Sequence, residues 1–356
     1  MNDDRLTCCG PNSIFEKKGD YFICKKCGKK YIRKRILYKN NDISHFRSEA
    51  MAIKKKLKGR KVNKVSDKYV GVLQANKYSI YDINDFNEAK KTVFIDNQTQ
   101  AVHIYKNVLY TLTFRNKTII YDIENSGETI NRSKRKIHYI HSIKSNVWIG
   151  LENNVINAYD DKCNILNSII DFGENYQTKS EIKIIHTDYD FENNEIVIFY
   201  KYMEMNEHIL CASAKIKYDS SRPDIEIIHW DELYSDMTYS FEKQIFFAIK
   251  DDLLLKIEKD KSIEKILHTP LIYLILDGGI FHPTCFVTKP AQIIMWDDKF
   301  VVVYDSDLIV IDSYNNEVIF CYNAKKGDLI QSCEILNENH FAFSSGLSAY
   351  VVEMCR

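Results

Sequence analysis

The sequence has little glycine or proline and no long apolar run. Of its 356 residues, 12 are Gly and 5 are Pro, which excludes collagen-like and proline-rich disordered chains. The longest purely apolar run covers residues 271–276, far short of the roughly 20 residues that cross a bilayer. No apolar stretch follows the N-terminal Met-Asn-Asp-Asp, so we expect no signal peptide. These features predict a soluble, cytoplasmic protein without a membrane span.

Motifs of the common enzyme classes are also missing. The sequence contains no G-x-S-x-G, no P-loop, no G-x-G-x-x-G and no H-E-x-x-H, which are patterns tied to hydrolase, nucleotide and metalloprotease chemistry. His186, Asp188 and Asp190 share one face of a predicted strand, but such a triplet is typical of an ordinary polar strand end. We therefore predict no catalytic residues and a protein that is not an enzyme.

The ten cysteines do not form the even, closely spaced framework of a secreted disulfide protein. Six are scattered singly through strand-like segments, which is typical of small buried thiols. These six are Cys163, Cys211, Cys285, Cys321, Cys333 and Cys355. The other four cluster at the N-terminus and need a separate explanation.

Two of the N-terminal cysteines form a C-x-x-C pair. Cys24 and Cys27, followed by Gly28, place two thiolates on one tight turn, as a metal requires. A hairpin turn at 18–20 and a short strand at 21–23 precede them. A unit of about 25 residues buries too little surface to fold alone, so a bound metal would have to stabilise it.

This stretch resembles the N-terminal zinc ribbons of many intracellular proteins. The resemblance implies a structural Zn²⁺ ion bound by Cys8, Cys9, Cys24 and Cys27. The first half departs from the family pattern, because Cys8 and Cys9 are adjacent before Gly10 where the family has C-x-x-C-G. Neighbouring side chains normally diverge, so whether both bind the metal is left open. The alternative is a degenerate ribbon whose C-x-x-C pair is reduced and empty.

A strongly basic segment follows. Residues 1–65 contain 19 Lys and Arg against 6 Asp and Glu, and residues 66–356 contain 30 against 43. Apolar residues at spacings of three and four predict an amphipathic helix with a basic face. These apolar residues are Ile43, Phe46, Ala50, Ile53 and Leu57.

The basic side chains have three interpretations: a solvated face, docking on the acidic remainder of the chain, or contact with nucleic-acid phosphates. The candidate nucleic-acid-binding residues are Arg33, Lys34, Arg35, Lys54, Lys55 and Lys56.

From residue 68 onward, a strongly apolar strand recurs seven times at spacings of roughly 39 to 55 residues. Its copies lie at 69–73, 108–112, 147–151, 196–200, 245–249, 300–304 and 341–345. Further strands flank most copies, and four strands per period are the mark of a propeller blade. The region resembles WD-repeat propellers in period and strand order, although Trp230-Asp231 and Trp296-Asp297 do not occupy the family's positions.

We therefore predict a mainly β fold: a zinc ribbon at 1–35, a basic helix and linker at 36–65, and a seven-bladed β-propeller at 66–356. The last repeat leaves no room for a fourth strand, so an earlier segment should complete it and remove the exposed edge. The expected donor is 62–65 or 31–37. An insertion at 269–290 is expected either to form a further partner-binding surface or to pack over the propeller.

The predicted function is that of a non-catalytic scaffold whose propeller presents surfaces to a protein or peptide partner. The alternative is a nucleic-acid- or ribosome-associated protein that contacts phosphates through the basic N-terminal region.

Overall fold

The computed structural model describes residues 50–355 with short gaps, together with the backbone at 15–18, 21–25, 30–32 and 34–37. Within 272–280 only the course of the backbone is described. The gaps are 116, 126, 134, 145–146, 174–181, 191, 204–207, 219–222, 270–271, 277–278, 281–289 and 325–327. The described residues are mainly β, with almost no helix.

Seven four-stranded antiparallel sheets, the blades, are arranged in a ring around a central channel. In blades 1 to 6 the strand that comes first in the sequence lies innermost, and in blade 7 the innermost strand is Ile330–Asn337. Most neighbouring inner strands contact each other around the channel. From the channel outward, blade 1 consists of Lys61–Ser66, Tyr69–Leu73, Lys77–Asp82 and Lys91–Phe94. Blade 2 consists of Thr99–Tyr105, Val108–Thr113, Thr118–Asp122 and Glu128–Arg132. Blade 3 consists of Tyr139–Lys144, Val147–Glu152, Val155–Asp160 and Ile165–Asp171.

Blades 4 to 7 follow the same order. Blade 4 consists of Lys183–Asp190, Glu195–Met203, Ile209–Tyr218 and Pro223–Trp230, and blade 5 consists of Asp236–Ser240, Ile245–Lys250, Leu253–Ile257 and Ile263–His268. Blade 6 consists of Pro290–Trp296, Lys299–Tyr304, Asp307–Asp312 and Glu317–Asn323. Blade 7 consists of Ile330–Asn337, His340–Ser345, Ser348–Met354 and, from the start of the propeller, Met51–Lys58. Each of the seven apolar repeats predicted from the sequence is the second strand of a blade, which confirms the seven-bladed propeller.

An earlier segment completes blade 7, as expected, but the expected donors are wrong. The fourth strand is Met51–Lys58, which pairs antiparallel with Ser348–Met354. Residues 62–65 instead belong to the inner strand of blade 1, and Lys34–Leu37 pairs elsewhere. The predicted basic helix is therefore wrong over 51–58. The apolar residues at 51, 53 and 57 also fit the two-residue period of a strand, and the open edge of blade 7 selects that conformation.

The core consists of seven apolar clusters, and each cluster joins two neighbouring blades. The second and third strands are buried on both faces, as their continuous runs of Val, Ile, Tyr and Phe require. Blades 7 and 1 meet through Val62, Val70 and Leu336, so the junction where the ring closes is packed like the others.

Because successive strands alternate in direction, the turns fall on two opposite faces. The upper face carries the connections from each outer strand to the next inner strand and the turns between second and third strands. The lower face carries the remaining turns. At the upper face of blade 3, Asn153 and Asn154 both adopt positive φ, 51° and 62°, as a two-residue hairpin turn requires.

The N-terminal strands form small sheets of their own. Phe15–Lys18, Tyr21–Cys24 and Lys30–Ile32 form a three-stranded antiparallel sheet, in agreement with the hairpin and short strand predicted there. Lys34–Leu37 pairs with Ile272–Leu276 of the insertion between blades 5 and 6. The insertion is thus tied through its backbone to the N-terminal region.

Candidate functional site

The inner strands enclose a central cavity of about 470 Å³. All seven blades contribute to its wall, and the wall is mixed in character. Titratable side chains stand beside the aromatic rings of Tyr139, Tyr189, Tyr239 and Phe241. Small-molecule sites combine such apolar walls with a few placed polar groups, so this cavity is the first candidate site.

One wall of the cavity holds a buried ionic network between blades 4, 5 and 6. His186 Nδ1 lies 3.1 Å from Asp236 Oδ2, and His186 Nε2 lies 3.2 Å from Asp188 Oδ1. Asp236 Oδ2 also accepts the backbone N–H of Ile293 at 2.9 Å. Asp188 accepts hydrogen bonds from Thr238 Oγ1 and from the backbone N–H of Tyr239. The network therefore joins three neighbouring inner strands.

The histidine of this network is held in its protonated form. Burial lowers the pKa of His186, but the carboxylates of Asp236 and Asp188 outweigh it and raise that pKa well above its ordinary value. The imidazolium thus lies between two carboxylates, and each carboxylate has further donors. A buried charge that is paired and hydrogen-bonded in this way is compatible with the interior.

A second pair of histidines, contributed by blades 2 and 3, is held neutral. The rings of His103 and His141 are 3.8 Å apart between centroids. His103 Nδ1 accepts the backbone N–H of Ser142 at 3.2 Å, and His141 Nδ1 donates to the carbonyl oxygen of Ser142 at 2.7 Å. Burial, with a contribution from His141, lowers the pKa of His103 well below its ordinary value. Burial also lowers the pKa of His141 to about 4, although its bond to Ser142 opposes this.

The carboxylate of Glu334, on the inner strand of blade 7, also faces the cavity. Among the residues that the structure describes, its oxygens have no hydrogen bond and no ion pair. Burial raises the pKa of Glu334 to about 7, and Asp188 adds to this, while the charges of His186 and Lys64 oppose it. Lys64 also lines the cavity, but its Nζ lies 2.8 Å from Asp67 Oδ1.

The upper face over blades 7, 1 and 2 exposes large apolar side chains. Phe94 is 70% exposed, Phe114 64%, Leu329 55% and Leu347 78%. We name this set the upper arc. Exposed apolar side chains that cluster on one face mark interaction sites more often than single ones do.

Backbone hydrogen bonds connect the upper arc from blade to blade. Gly346 N–H donates to Leu329 O at 3.3 Å, and Gly59 N–H donates to Leu347 O at 3.0 Å. The guanidinium of Arg60, the next residue, donates to Thr99 O in blade 2. Thr99 lies at the end of the connection that follows Phe94. The N–H of Phe114 donates to Gln98 O in the same connection at 2.9 Å.

Basic residues dominate the surroundings of the upper arc. Lys77 is the direct cross-strand partner of Phe94, and Arg115 and Lys117 occupy the same turn as Phe114. The basic residues there are Lys58, Arg60, Lys61, Lys77, Arg115 and Lys117, and the acidic ones are Asp96, Asp305 and Asp328. The region is therefore apolar with a positive rim.

The basic residues predicted from the sequence occupy several environments. Lys54, Lys55 and Lys56 lie on the strand that completes blade 7. Lys54 Nζ lies 3.0 Å from Glu353 Oε1, and Lys56 Nζ lies 5.5 Å from the ring centroid of Tyr350. For these two residues the structure favours docking on the propeller over contact with phosphates. Lys34 and Arg35 lie on the strand Lys34–Leu37, whose side chains are not described.

The predicted zinc ligands fall largely outside the described residues. Cys8, Cys9 and Cys27 lie outside them, as does Arg33, and Cys24 ends the strand Tyr21–Cys24 without a described side chain. Within the described part of the chain, no group of three or more His, Cys, Asp or Glu side chains is arranged to hold a metal ion. The zinc ion thus stays a prediction.

The sequence alone does not predict the ionic network of His186, Asp188 and Asp236 in the channel. His186 and Asp188 were interpreted as an ordinary strand end, and their partner Asp236 was not singled out. Asp190 bonds only its own turn, through the N–H groups of Glu192 and Asn193. His186 lies opposite Phe199 and Asp236 lies opposite Ile249, which are different positions of the repeat, so only the contact between blades brings the two residues together.

Comparison with known proteins supports the fold alone. No family profile matches the sequence, and no curated protein matches it. One similar solved structure is a chain in a complex from S. cerevisiae, a Dbp5 variant bound to Nup159, a Gle1 variant, IP6 and ADP. The TM-score is 0.50 and the identity 9%, over 89% of this chain and 99% of that chain. Since 726 solved chains match, the likeness shows a shared fold and selects no function. In the described residues, no helix is long and apolar enough to span a bilayer.

Proposed function

We propose that this chain is a non-catalytic interaction scaffold, and that the upper arc binds a protein partner. The observation that carries the proposal is the exposure of Phe94, Phe114, Leu329 and Leu347 on one face of a rigid ring. Burying large apolar side chains supplies most of the free energy of protein association, at roughly 25 cal/mol per Å² of apolar surface removed from water.

The charge of the rim favours a particular partner. Arg115 and Lys117 flank Phe114, and Lys77 lies opposite Phe94. An acidic segment with apolar side chains would cover the apolar residues and pair with these cations, which also speeds encounter at low salt. Nucleic acid is a weaker candidate for this surface, because two of its four exposed apolar side chains are aliphatic and offer no stacking face.

A peptide-display selection against the full chain tests the proposal. We expect the selected peptides to be rich in Asp and Glu and to carry Leu, Phe or other large apolar residues. Phe114→Asp and Leu347→Asp should each weaken their binding at least tenfold. Both side chains are exposed, so we expect little change in stability.

The matched control is Tyr314→Asp, since Tyr314 is 81% exposed in a lower-face turn of blade 6. Peptides that bind all three variants and the original chain equally would contradict a docking site on the upper arc. Charge reversal at Arg115 and Lys117 should weaken binding at 50 mM salt and matter less at 500 mM, because salt screens exposed charges.

The zinc ribbon belongs to the proposal as a structural element near the N-terminus, with the ligands named above. The nucleic-acid alternative has less support, because Lys54 and Lys56 contact the propeller itself.

A further inference from the structure

The central cavity combines an unpaired carboxyl group with an aromatic wall, and neither is explained by a role in protein docking on the upper face. Glu334 is half-buried and faces this cavity without a hydrogen bond or ion pair among the described residues, and removing a charge even partly from water without a partner is unfavourable. On the neighbouring inner strand, the buried amide oxygen Oδ1 of Asn63 also has no hydrogen-bond partner. Both groups accept hydrogen bonds, so a ligand at this wall would have to supply hydrogen-bond donors.

The cations that line the cavity already have other partners. His186 lies between Asp188 and Asp236 at 3.2 and 3.1 Å. Lys64 is bonded to Asp67 at 2.8 Å. The imidazolium of His186 is paired with two carboxylates, so this network has no excess positive charge with which Glu334 could pair. Among the described residues, an ionised Glu334 therefore has no direct ion-pair partner, although the charges of His186 and Lys64 act on it from farther away.

The rest of the wall suits a positively charged group. The rings of Tyr139, Tyr189 and Phe241 line the same space, and the faces of such rings attract ammonium and guanidinium groups. The ring of Tyr239 also lines it and already carries Lys215 Nζ at 5.2 Å from its centroid. Tyr189 lies near the carboxyl group, since Glu334 contributes to the raised pKa of this phenol. A volume of about 470 Å³ is within the range of small-molecule sites.

We propose that the central cavity binds an alkylammonium or guanidinium group, with Glu334 as its counter-ion and the tyrosine rings as its walls. The group has two possible sources with the same chemistry: a free small amine or guanidine, and a Lys or Arg side chain of a bound peptide. The proposal does not depend on the upper arc, because a different surface and different residues carry it.

Proton binding and cation binding should compete at Glu334. The titratable and charged groups around its carboxyl come from every side: Lys64 and Tyr78 of blade 1, His103 and His141, then His186, Asp188 and Tyr189, Tyr239 of blade 5, and the adjacent Cys333. Burial lowers the pKa values of His103 and His141, whereas the pKa of His186 is raised well above its ordinary value because Asp236 and Asp188 outweigh its burial. With the pKa of Glu334 at about 7, its ionised fraction rises between pH 6 and 8.

Ligand-observed NMR on the full chain tests the proposal with methylguanidinium and its neutral isostere N-methylurea. We expect methylguanidinium to bind and N-methylurea not to bind. Its affinity should be about tenfold weaker at pH 6 than at pH 8, because only the ionised fraction of Glu334 is competent. Acetyl-Gly-Arg-Gly-amide in a parallel titration separates the two sources, since tighter binding than methylguanidinium assigns the group to a peptide side chain.

Two substitutions locate the site. Glu334→Gln keeps the size of the side chain and should abolish binding, whereas Lys64→Met removes a nearby positive charge and should tighten it several-fold. A melting curve for each variant confirms that it is folded. Equal binding of N-methylurea, or binding that survives Glu334→Gln in a folded protein, would overturn the proposal, as would preferential binding of acetate.

Discussion

Lys54 and Glu353 form an ion pair across the junction that closes the ring. Lys54 Nζ lies 3.0 Å from Glu353 Oε1, and His340 Nε2 lies 3.2 Å from the same oxygen. Lys54 belongs to the strand that precedes the first blade in the sequence, and Glu353 belongs to the last strand of the chain. The pair therefore joins the two ends of the propeller, and a cavity of about 970 Å³ lies beside it.

The first prediction separates docking from phosphate contact at this basic strand. Lys54→Met keeps the aliphatic stem and removes the charge. We expect the free energy of unfolding to fall by about 0.5–1 kcal/mol at low salt, which is the usual size for a partly exposed pair, and by less at high salt. Binding to single-stranded RNA or DNA, measured by filter retention, should not change.

Lys58→Met on the same strand is the control, because Lys58 is exposed, and it should leave stability unchanged. If instead Lys54→Met and Lys56→Met leave stability intact and lower the salt-dependent affinity for nucleic acid, the alternative function regains support.

The second prediction concerns the closing strand itself. A chain that begins at residue 59 lacks Met51–Lys58 and exposes the edge of Ser348–Met354. Because unpaired edges template association with other strands, we expect a lower melting temperature and aggregation in size-exclusion chromatography. A chain that begins at residue 50 keeps the strand and should remain monodisperse. Equal stability of the two chains would show that blade 7 does not need this strand.

The third prediction tests the ionic network of the channel. Asp236→Asn removes the charge that faces His186 Nδ1 and weakens the acceptor of Ile293 N–H. Breaking one side of a buried pair costs about 3–5 kcal/mol, so the midpoint of urea unfolding should fall strongly. Asp190→Asn is the matched control, since Asp190 bonds only its own turn.

His186 determines how the stability difference between the original chain and Asp236→Asn depends on pH. Its pKa in the folded protein is raised, so its stabilisation is fully present below the unfolded value, about 6.5, and is lost as the pH rises through the folded value. The gap between the original chain and Asp236→Asn should therefore narrow at alkaline pH. A gap that does not change with pH would indicate that His186 is neutral.

The seven second strands could be predicted from the sequence because each is a continuous apolar run that recurs at a nearly regular spacing. The closing strand could not, because its apolar residues fit both a helical stripe and a strand, and only the open edge of blade 7 decides between them. The channel network could not either. His186 and Asp188 lie on one strand, but Asp236 lies 50 residues later, and only the blade-to-blade register brings it to them.

The fourth prediction uses the pH dependence of stability at Glu334. Its pKa is about 7 in the folded protein, above the ordinary 4.5, so the folded state holds a proton in that window that the unfolded state has lost. Its contribution to stability is therefore present below pH 4.5 and is lost as the pH rises through 7. Glu334→Gln should match the original chain at pH 4 and be more stable at pH 8.

The expected gain at pH 8 is on the order of 1–3 kcal/mol, allowing for partial solvent access. Chemical unfolding at both pH values measures it, and Glu338→Gln, on an exposed turn of the same blade, should show no such difference. A gain that is equal at both pH values would indicate that Glu334 titrates in its ordinary range.

The last prediction concerns zinc. Two thiolates on the turn of Cys24 and Cys27 can share one metal, and the strands Phe15–Lys18, Tyr21–Cys24 and Lys30–Ile32 form a sheet too small to be stable by its own core. We expect about one zinc per chain by elemental analysis, and loss of that zinc in Cys24→Ser. The propeller should melt at the same temperature in this variant, because its clusters of apolar residues lie between blades. Cys163→Ser is the control, since Cys163 is a buried free thiol of the propeller, and it should retain the metal.

Because Cys8 and Cys9 are adjacent, comparing Cys8→Ser with Cys9→Ser shows whether one or both bind: a single ligand predicts zinc loss in one variant only. Protein purified without chelator that contains no zinc would contradict the site altogether.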